Sequence, residues 1–428
     1  MKRYFKYIKI PAVILLLCYV LLGCVSQEDG NSEKEITLVF KHGKIAGDPR
    51  SLKALLKKFE KFHPGIKIKD EVLPASTDEQ HQFYVINLEG KSPDFDVISM
   101  DVIWVQEFAK ARWIRDLTSV FGPEEIADFF PGPIKAISYK GKIFAIPWYI
   151  DAGVLYYRKD LLEKYGFLPP KTWHQLVDTA STIIKKEKNI YGFIWQGKQY
   201  EGLVCNVLEY LWGNGGSVFK NGKLTIYSKE NTKALRFIKD LIFEYKVSPK
   251  LVITATEETT RHIFGKGKAV FMRNWPYAWH IFEREDSLLR GKVDICPLPS
   301  FPDYESASVL GGWQLGINRY SKHPEEAEEL IKFLTSPGAQ KTLALTVGYK
   351  PPRRSLYHDR DFIKKQPFIA GLYDIFMKVR PRPVSPYYVM ITQIMQPEFS
   401  AAISGIKTPE AALKSISKQI DYLLKLEE

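Results

Sequence analysis

The chain has 428 residues, 45% of them hydrophobic and 26% charged, and carries a formal net charge of +12. That length exceeds what one hydrophobic core usually serves, so two lobes are expected. The positive charge is spread over helices as solvated lysines, with no basic, aromatic-interleaved repeat, which argues against a nucleic-acid partner.

The chain begins MKRYFKYIKIPAVILLLCYVLLGC. A basic start precedes an apolar run from Ile8 to Leu22, shorter than the roughly 20 residues a membrane span needs. This is the layout of a secretion signal over residues 1–23. Leu21-Leu22-Gly23-Cys24 resembles the lipobox of prokaryotic lipoproteins, in which the cysteine is acylated and becomes the first residue. A plain signal peptide with Cys24 incidental is the alternative. Residues 24–35 are polar and aperiodic and read as a flexible tether. A lipid on Cys24 would hold the protein on the outer face of the cytoplasmic membrane without spanning it.

From Glu35 the reading is β-α-β: strand EITLVF, helix GDPRSLKALLKKFEKFHPG, strand IKIKDEVL. Leu52, Leu55, Leu56, Phe59 and Phe62 share one helical face. Asp48 is a candidate cap, Pro49 suits the first turn, and Pro64-Gly65 ends the helix. Strand DFDVISM, helix DVIWVQEFAKA and strand KIFAIPWYI repeat the pattern, which argues an open sheet covered by helices. Beyond Pro147 come longer helices over 172–186, 203–216 and 231–246, then strands GKAVFM, VDICPLP and WQLGINRY. A strong helix spans 323–345, with acids in its first turn. From Tyr387 onward the reading is of helices broken at Pro397 and at Thr408-Pro409.

Much chemistry is missing. No glycine-rich run completes a phosphate loop, and there is no Gly-x-Ser-x-Gly elbow or His-Glu-x-x-His pair. The eight histidines show no ligand spacing, so neither a metal nor a cofactor is expected. Cys205 and Cys296 sit in apolar contexts that suit either a disulfide or two buried thiols. Asp101 and Asp151 are the one candidate pair for hydrolysis, a chemistry that depends on a separation the sequence does not supply.

Several stretches occur in an order that resembles a known family: VFKHGKIAGDPRSLKALLKKFEKFHPGIKI, DVISMDVIWVQEFAKARWIRDL, AIPWYIDAGVLYYRKDLLEKYG, FMRNWPYAW, LGGWQLGINRYSKHPEEAEELIKFLTS and RPRPVSPYY. They are similar to extracellular solute-binding proteins that deliver sugars to ABC importers, particularly the trehalose/maltose-binding branch. The likeness implies a type II periplasmic-binding-protein fold, two α/β lobes joined by a multi-segment hinge with the ligand between them. The lobes would be 36–148 with 313–349, and 149–312 with 350–428. It also implies a monomer without enzyme activity that hands a di- or oligosaccharide to permease subunits.

Matched residue by residue, the resemblance places Asp48 and Asp101 against sugar hydroxyls, each with helix capping as the plainer alternative. Tyr149 and Asp151 would line the cleft past the first crossover, unless they serve only hinge packing. Trp275, Tyr277, Gly312 and Trp313 would supply ring and backbone contacts, and Arg382, with Arg380 two residues earlier, would reach in from the second lobe. Trp104 and Trp279 read as core. These types suit a pyranose: ring faces cover its C–H side, and charged groups satisfy hydroxyls that both donate and accept. The rival readings are a glycoside hydrolase using Asp101 and Asp151, and a receptor for a peptide or polyamine.

Overall fold

The computed structural model describes residues 35–45, 48–74 and 76–427. The signal sequence and Cys24 therefore lie outside the described residues. Two sheets organise the chain. The first has five strands: β1 (Ile36–His42), β2 (Ile66–Val72), β3 (Val97–Asp101), β4 (Ile146–Ala152) and β9 (Leu310–Ile317), in the order β2-β1-β3-β9-β4. β1 runs parallel to β2 and β3, and β9 runs antiparallel to both β3 and β4. The second sheet holds β5 (Val154–Arg158), β6 (Tyr191–Ile194), β7 (Ala269–Asn274) and β8 (Val293–Cys296), in the order β8-β5-β7-β6.

The chain passes between the sheets at Gly153, again before Leu310, and a third time after Tyr349. The divisions expected at 148/149 and 312/313 fall inside β4 and β9, where Leu310, Gly311 and Gly312 pair with Ala152, Asp151 and Ile150. The connecting strands are thus continuous ladder, not loop. Gly153 is required at the first passage, because a Cβ there would overlap the Glu209 carboxylate.

Helix α1 (Arg50–Phe62) buries Leu52, Leu55, Leu56 and Phe59 as its spacing dictates. Phe62, expected on that face, is 63% exposed at the final turn. Helix α2 (Thr77–Glu89) escapes a hydrophobicity reading, since its buried row is Gln80, Tyr84 and Leu88 and no broad apolar stripe forms. Ser76 caps it by accepting the Glu79 N–H. A short helix α3 (Val105–Lys110) follows β3, so Asp101 ends a strand and does not open a helix.

In one core with the second sheet are α4 (Trp173–Lys186), α5 (Glu201–Gly213), α6 (Lys229–Phe243) and α7 (Glu257–Gly265). The helix expected over 323–345 is two, α8 (Pro324–Leu334) and α9 (Pro337–Thr346), because Pro337 cannot continue the first and Ser336 caps the second. The opposite correction applies at Pro397: α10 (Tyr388–Ile403) runs straight through it. Its buried residues Met395, Phe399 and Ala402 lie in the core beside α5, and that packing offsets the missing backbone donor. Helix α11 (Pro409–Glu427) begins where a break was expected.

Candidate functional site

A cavity of about 580 Å³ lies between the two sheets and takes its walls from both. Eight of the nine expected site residues line it: Asp101, Tyr149, Asp151, Trp275, Tyr277, Gly312, Trp313 and Arg382. Asp48 does not. Its carboxylate accepts the Arg50 backbone N–H at 2.9 Å and pairs with the Arg50 guanidinium at 2.6 Å, outside the cavity wall.

The strand register explains why distant residues converge. Trp313 on β9 sits opposite Asp101 of β3 on one side and Tyr149 of β4 on the other. Directly paired residues share a sheet face, so three expected contacts form one row. Asp151 is two residues past Tyr149, on the same face, and pairs with Gly311. Gly312 adopts φ +109°, and a Cβ there would overlap the Tyr149 carbonyl. Only glycine lets the strand bend at this point. Tyr149 stacks on Tyr349 with ring centroids 3.9 Å apart, and Trp104, in the core, meets Trp313 edge-on at 5.5 Å.

The segment Arg273–Trp279 builds the opposite wall. Arg273 is buried and bidentate to Glu209 at 2.9 and 2.6 Å, and its guanidinium lies 4.1 Å from the Trp275 ring centroid. The indole is held from behind by a fixed cation. Its Nε1 donates to Glu257 at 3.3 Å, and its carbonyl accepts from the Tyr156 hydroxyl at 2.8 Å. Tyr277 donates to Glu258 at 3.0 Å. Trp279 turns away and stacks on Phe368 at 4.8 Å, in keeping with a packing role. A Cβ on Gly311 would stand 3.0 Å from the Trp275 ring, so that glycine lets the indole lie close to the β9 strand.

Arg382, not Arg380, faces the cavity; Arg380 is exposed and bonds to Ser308 and Leu310 through its backbone. The Arg382 guanidinium donates to Asp101 and to Glu201, each at 2.9 Å, tying β3 of the first sheet to α5 of the second. Its Nε is buried without a partner among the described residues. Glu201, absent from the sequence reading, is buried and also accepts from Tyr388 at 2.7 Å and from Thr392. Burial pushes its carboxyl up, against the pull of Arg382. No local motif marks Glu201; its position at the start of α5 beside α10 is a product of the fold.

Asp151 faces the cavity with no side-chain hydrogen bond to a described residue. Burial pushes its carboxyl up to about 7, opposed by the charges of Lys350 and Arg273. Lys350 is itself buried, donates to the Gly348 carbonyl, and is pulled down to about 7. Tyr200, Glu257 and Glu258, also absent from the sequence reading, line the cavity themselves, and Lys350 acts on Asp151 through its charge. Cys205 lines the cavity, and both it and Cys296 are free thiols.

Asp101 accepts from the Arg382 guanidinium and from the Ile103 N–H at 3.2 Å. Residues 43–341 match the family of bacterial extracellular solute-binding proteins. A probable ABC transporter-binding protein of Deinococcus radiodurans is 37% identical over 83% of this chain and 86% of its own length. The maltose-bound MalE3 of T. maritima superposes with a TM-score of 0.86 and 41% identity, covering 91% of this chain and 100% of that one. A solute-binding protein of Thermotoga lettingae with bound α-D-tagatose gives 0.80 and 27% over 91% and 100%. The chain belongs to the bacterial extracellular solute-binding protein family: it has the type II periplasmic-binding-protein fold, and it is a binding protein, not an enzyme.

Proposed function

We propose that the protein is a lipid-anchored extracytoplasmic receptor that captures a di- or oligosaccharide of the maltose or trehalose kind and delivers it to an ABC importer. The observation that carries this reading is the convergence of Tyr149, Trp275, Tyr277 and Trp313 with Asp101, Asp151 and Arg382 on one cavity between two sheets. Ring faces cover the C–H side of a pyranose, while carboxylates and a guanidinium meet its hydroxyls. A volume of about 580 Å³ falls in the ordinary range for small-molecule sites. The 41% identity to a maltose-bound protein supports the same ligand class.

A ligand that touches both walls favours the closed arrangement by its differential affinity for it. Release to permease subunits then follows from reopening at the three crossing segments. Calorimetry with maltose and trehalose, paired with small-angle scattering, tests the reading. Heat of binding with a smaller radius of gyration is expected from a monomer, and no glucose is released over hours. A bound sugar that leaves the scattering profile unchanged would refute closure. The anchor is tested separately: Cys24→Ser is expected to release the folded protein from membranes, and a variant that stays membrane-bound removes the lipid from the proposal.

A further inference from the structure

Glu257, in the first turn of α7, borders the cavity and touches two of the rings that wall it. Its oxygens are divided between them: Oε1 accepts from the Trp275 indole N–H at 3.3 Å, and Oε2 from the Tyr200 hydroxyl at 2.5 Å. The rings arrive by separate routes, Trp275 directly after β7 and Tyr200 directly before α5. One carboxylate bridges them.

That carboxylate stands on a fixed base. Thr256 caps α7 by accepting the Thr259 N–H. The buried Asn274 side chain donates to the Glu257 carbonyl at 3.1 Å and accepts the Trp275 N–H at 2.8 Å, so a single amide sets the spacing of both backbones. Gln196, also buried, donates to Thr260 of the same helix at 2.8 Å. Burial, with the Glu257 charge beside it, holds the Tyr200 hydroxyl well above the usual tyrosine range, so it keeps its proton and donates.

Trp275 is restrained in three ways. Arg273 lies against its face, Gly311 admits it close to β9, and Glu257 takes its N–H. Packing on a face tolerates an indole turned over about χ2, whereas a directional bond to the N–H selects one orientation.

We infer that Glu257 is a positioning residue for the ligand site: it presets the Trp275 and Tyr200 rings through their polar hydrogens, and acts through those rings and not by contact with the ligand. The inference rests on the sugar reading above. A ring ordered in advance need not be immobilised at the moment of binding, a difference of roughly fivefold in affinity.

A double-mutant cycle on the mature chain, read by calorimetry with maltose, tests this. Glu257 is half-buried, so folding is expected to survive substitution, and a thermal melt checks it. Glu257→Ala is expected to weaken binding about fivefold. Glu257→Gln, whose amide oxygen still accepts, should lose only about twofold. Combining Trp275→Phe with Tyr200→Phe keeps both rings and removes both donors. In that background Glu257→Ala is expected to change affinity by less than about 1.5-fold. Near-ultraviolet circular dichroism of the sugar-free protein gives a second readout. Glu257→Ala should weaken the indole fine structure, and in the doubly substituted background it should leave the spectrum unchanged. A loss of affinity that persists in that background would make Glu257 a direct ligand contact and overturn the positioning role. Unchanged affinity in Glu257→Ala would overturn it as well, leaving a bond that serves structure alone. If neither maltose nor trehalose binds the unaltered protein, the sugar reading fails, and the spectra still decide whether Glu257 orders the ring: an unchanged spectrum in Glu257→Ala would end the inference by itself.

Discussion

Arg273 and Arg382 are both buried, at 1% and 5% exposure, and both pair with carboxylates, yet their surroundings differ. Arg273 has both oxygens of Glu209 and Gln196 Oε1 within 3.2 Å, all on elements that pack with the second sheet. Glu209 also accepts the Val309 N–H, which fixes a crossing segment to the same pair. Arg382 divides its donors between Asp101 on one side of the cleft and Glu201 on the other, and its Nε has no partner among the described residues. A buried charge satisfied within one body contributes rigidity. One shared between two bodies ties them together only while they are closed, and its open valence is available to a third party. Burial alone therefore does not sort structural from functional charges; the bodies that supply the partners do.

The contrast sets the largest expected effect on Arg273. Glu209→Gln leaves a buried guanidinium without its counter-charge, and stability is expected to fall by about 3–5 kcal/mol in chemical denaturation. A loss under about 1 kcal/mol would mean the pair is not the internal brace described. Arg382→Ala should act the other way round, with a smaller stability loss and a larger loss of sugar affinity, about 1.5–3 kcal/mol for a charged hydrogen bond. Scattering with saturating sugar should then show incomplete closure. If Arg382→Ala instead matches Glu209→Gln in denaturation and leaves affinity intact, the two arginines do the same work.

Trp275→Ala and Trp313→Ala separate the walls. Each is expected to weaken sugar binding by about 1–3 kcal/mol through lost ring contact, with little change in melting temperature. Trp275→Ala also removes the ring over Arg273, so any extra destabilisation should appear in that variant and not in Trp313→Ala.

The smallest effect concerns pH. With its carboxyl near 7, Asp151 is mostly ionised at pH 8 and mostly protonated at pH 6. An ionised acceptor makes the stronger bond to a hydroxyl, so affinity should be greater above 7 and decline below it, on the order of threefold. Asp151→Asn should flatten the profile. A decline that persists in that variant would assign the titration to another group, with Lys350 the neighbour that titrates in the same range.

Local signals carried the alternating α/β pattern and the long helices that pack with the second sheet, and the family resemblance carried most of the site. Asp101, Tyr149, Asp151 and Trp313 were legible through the family resemblance, because the order of its motifs survives in one dimension. Asp48 was not separable from a turn residue, since a carboxylate before a helix reads alike whether it faces Arg50 or a ligand. The run through Pro397 was misread for a related reason: the proline's cost is local, while the packing of Met395 and Phe399 that offsets it is not.

What the chain determined by itself is the inventory of elements and the types of group available to a site, because propensity, capping and periodicity act over a few residues. What only the tertiary structure decided is which groups meet. The choice of Arg382 over Arg380 and the recruitment of Glu201 and Lys350 depend on contacts across more than a hundred residues of sequence. Such contacts are set by strand order and by three crossings between sheets, and no window of sequence contains both partners.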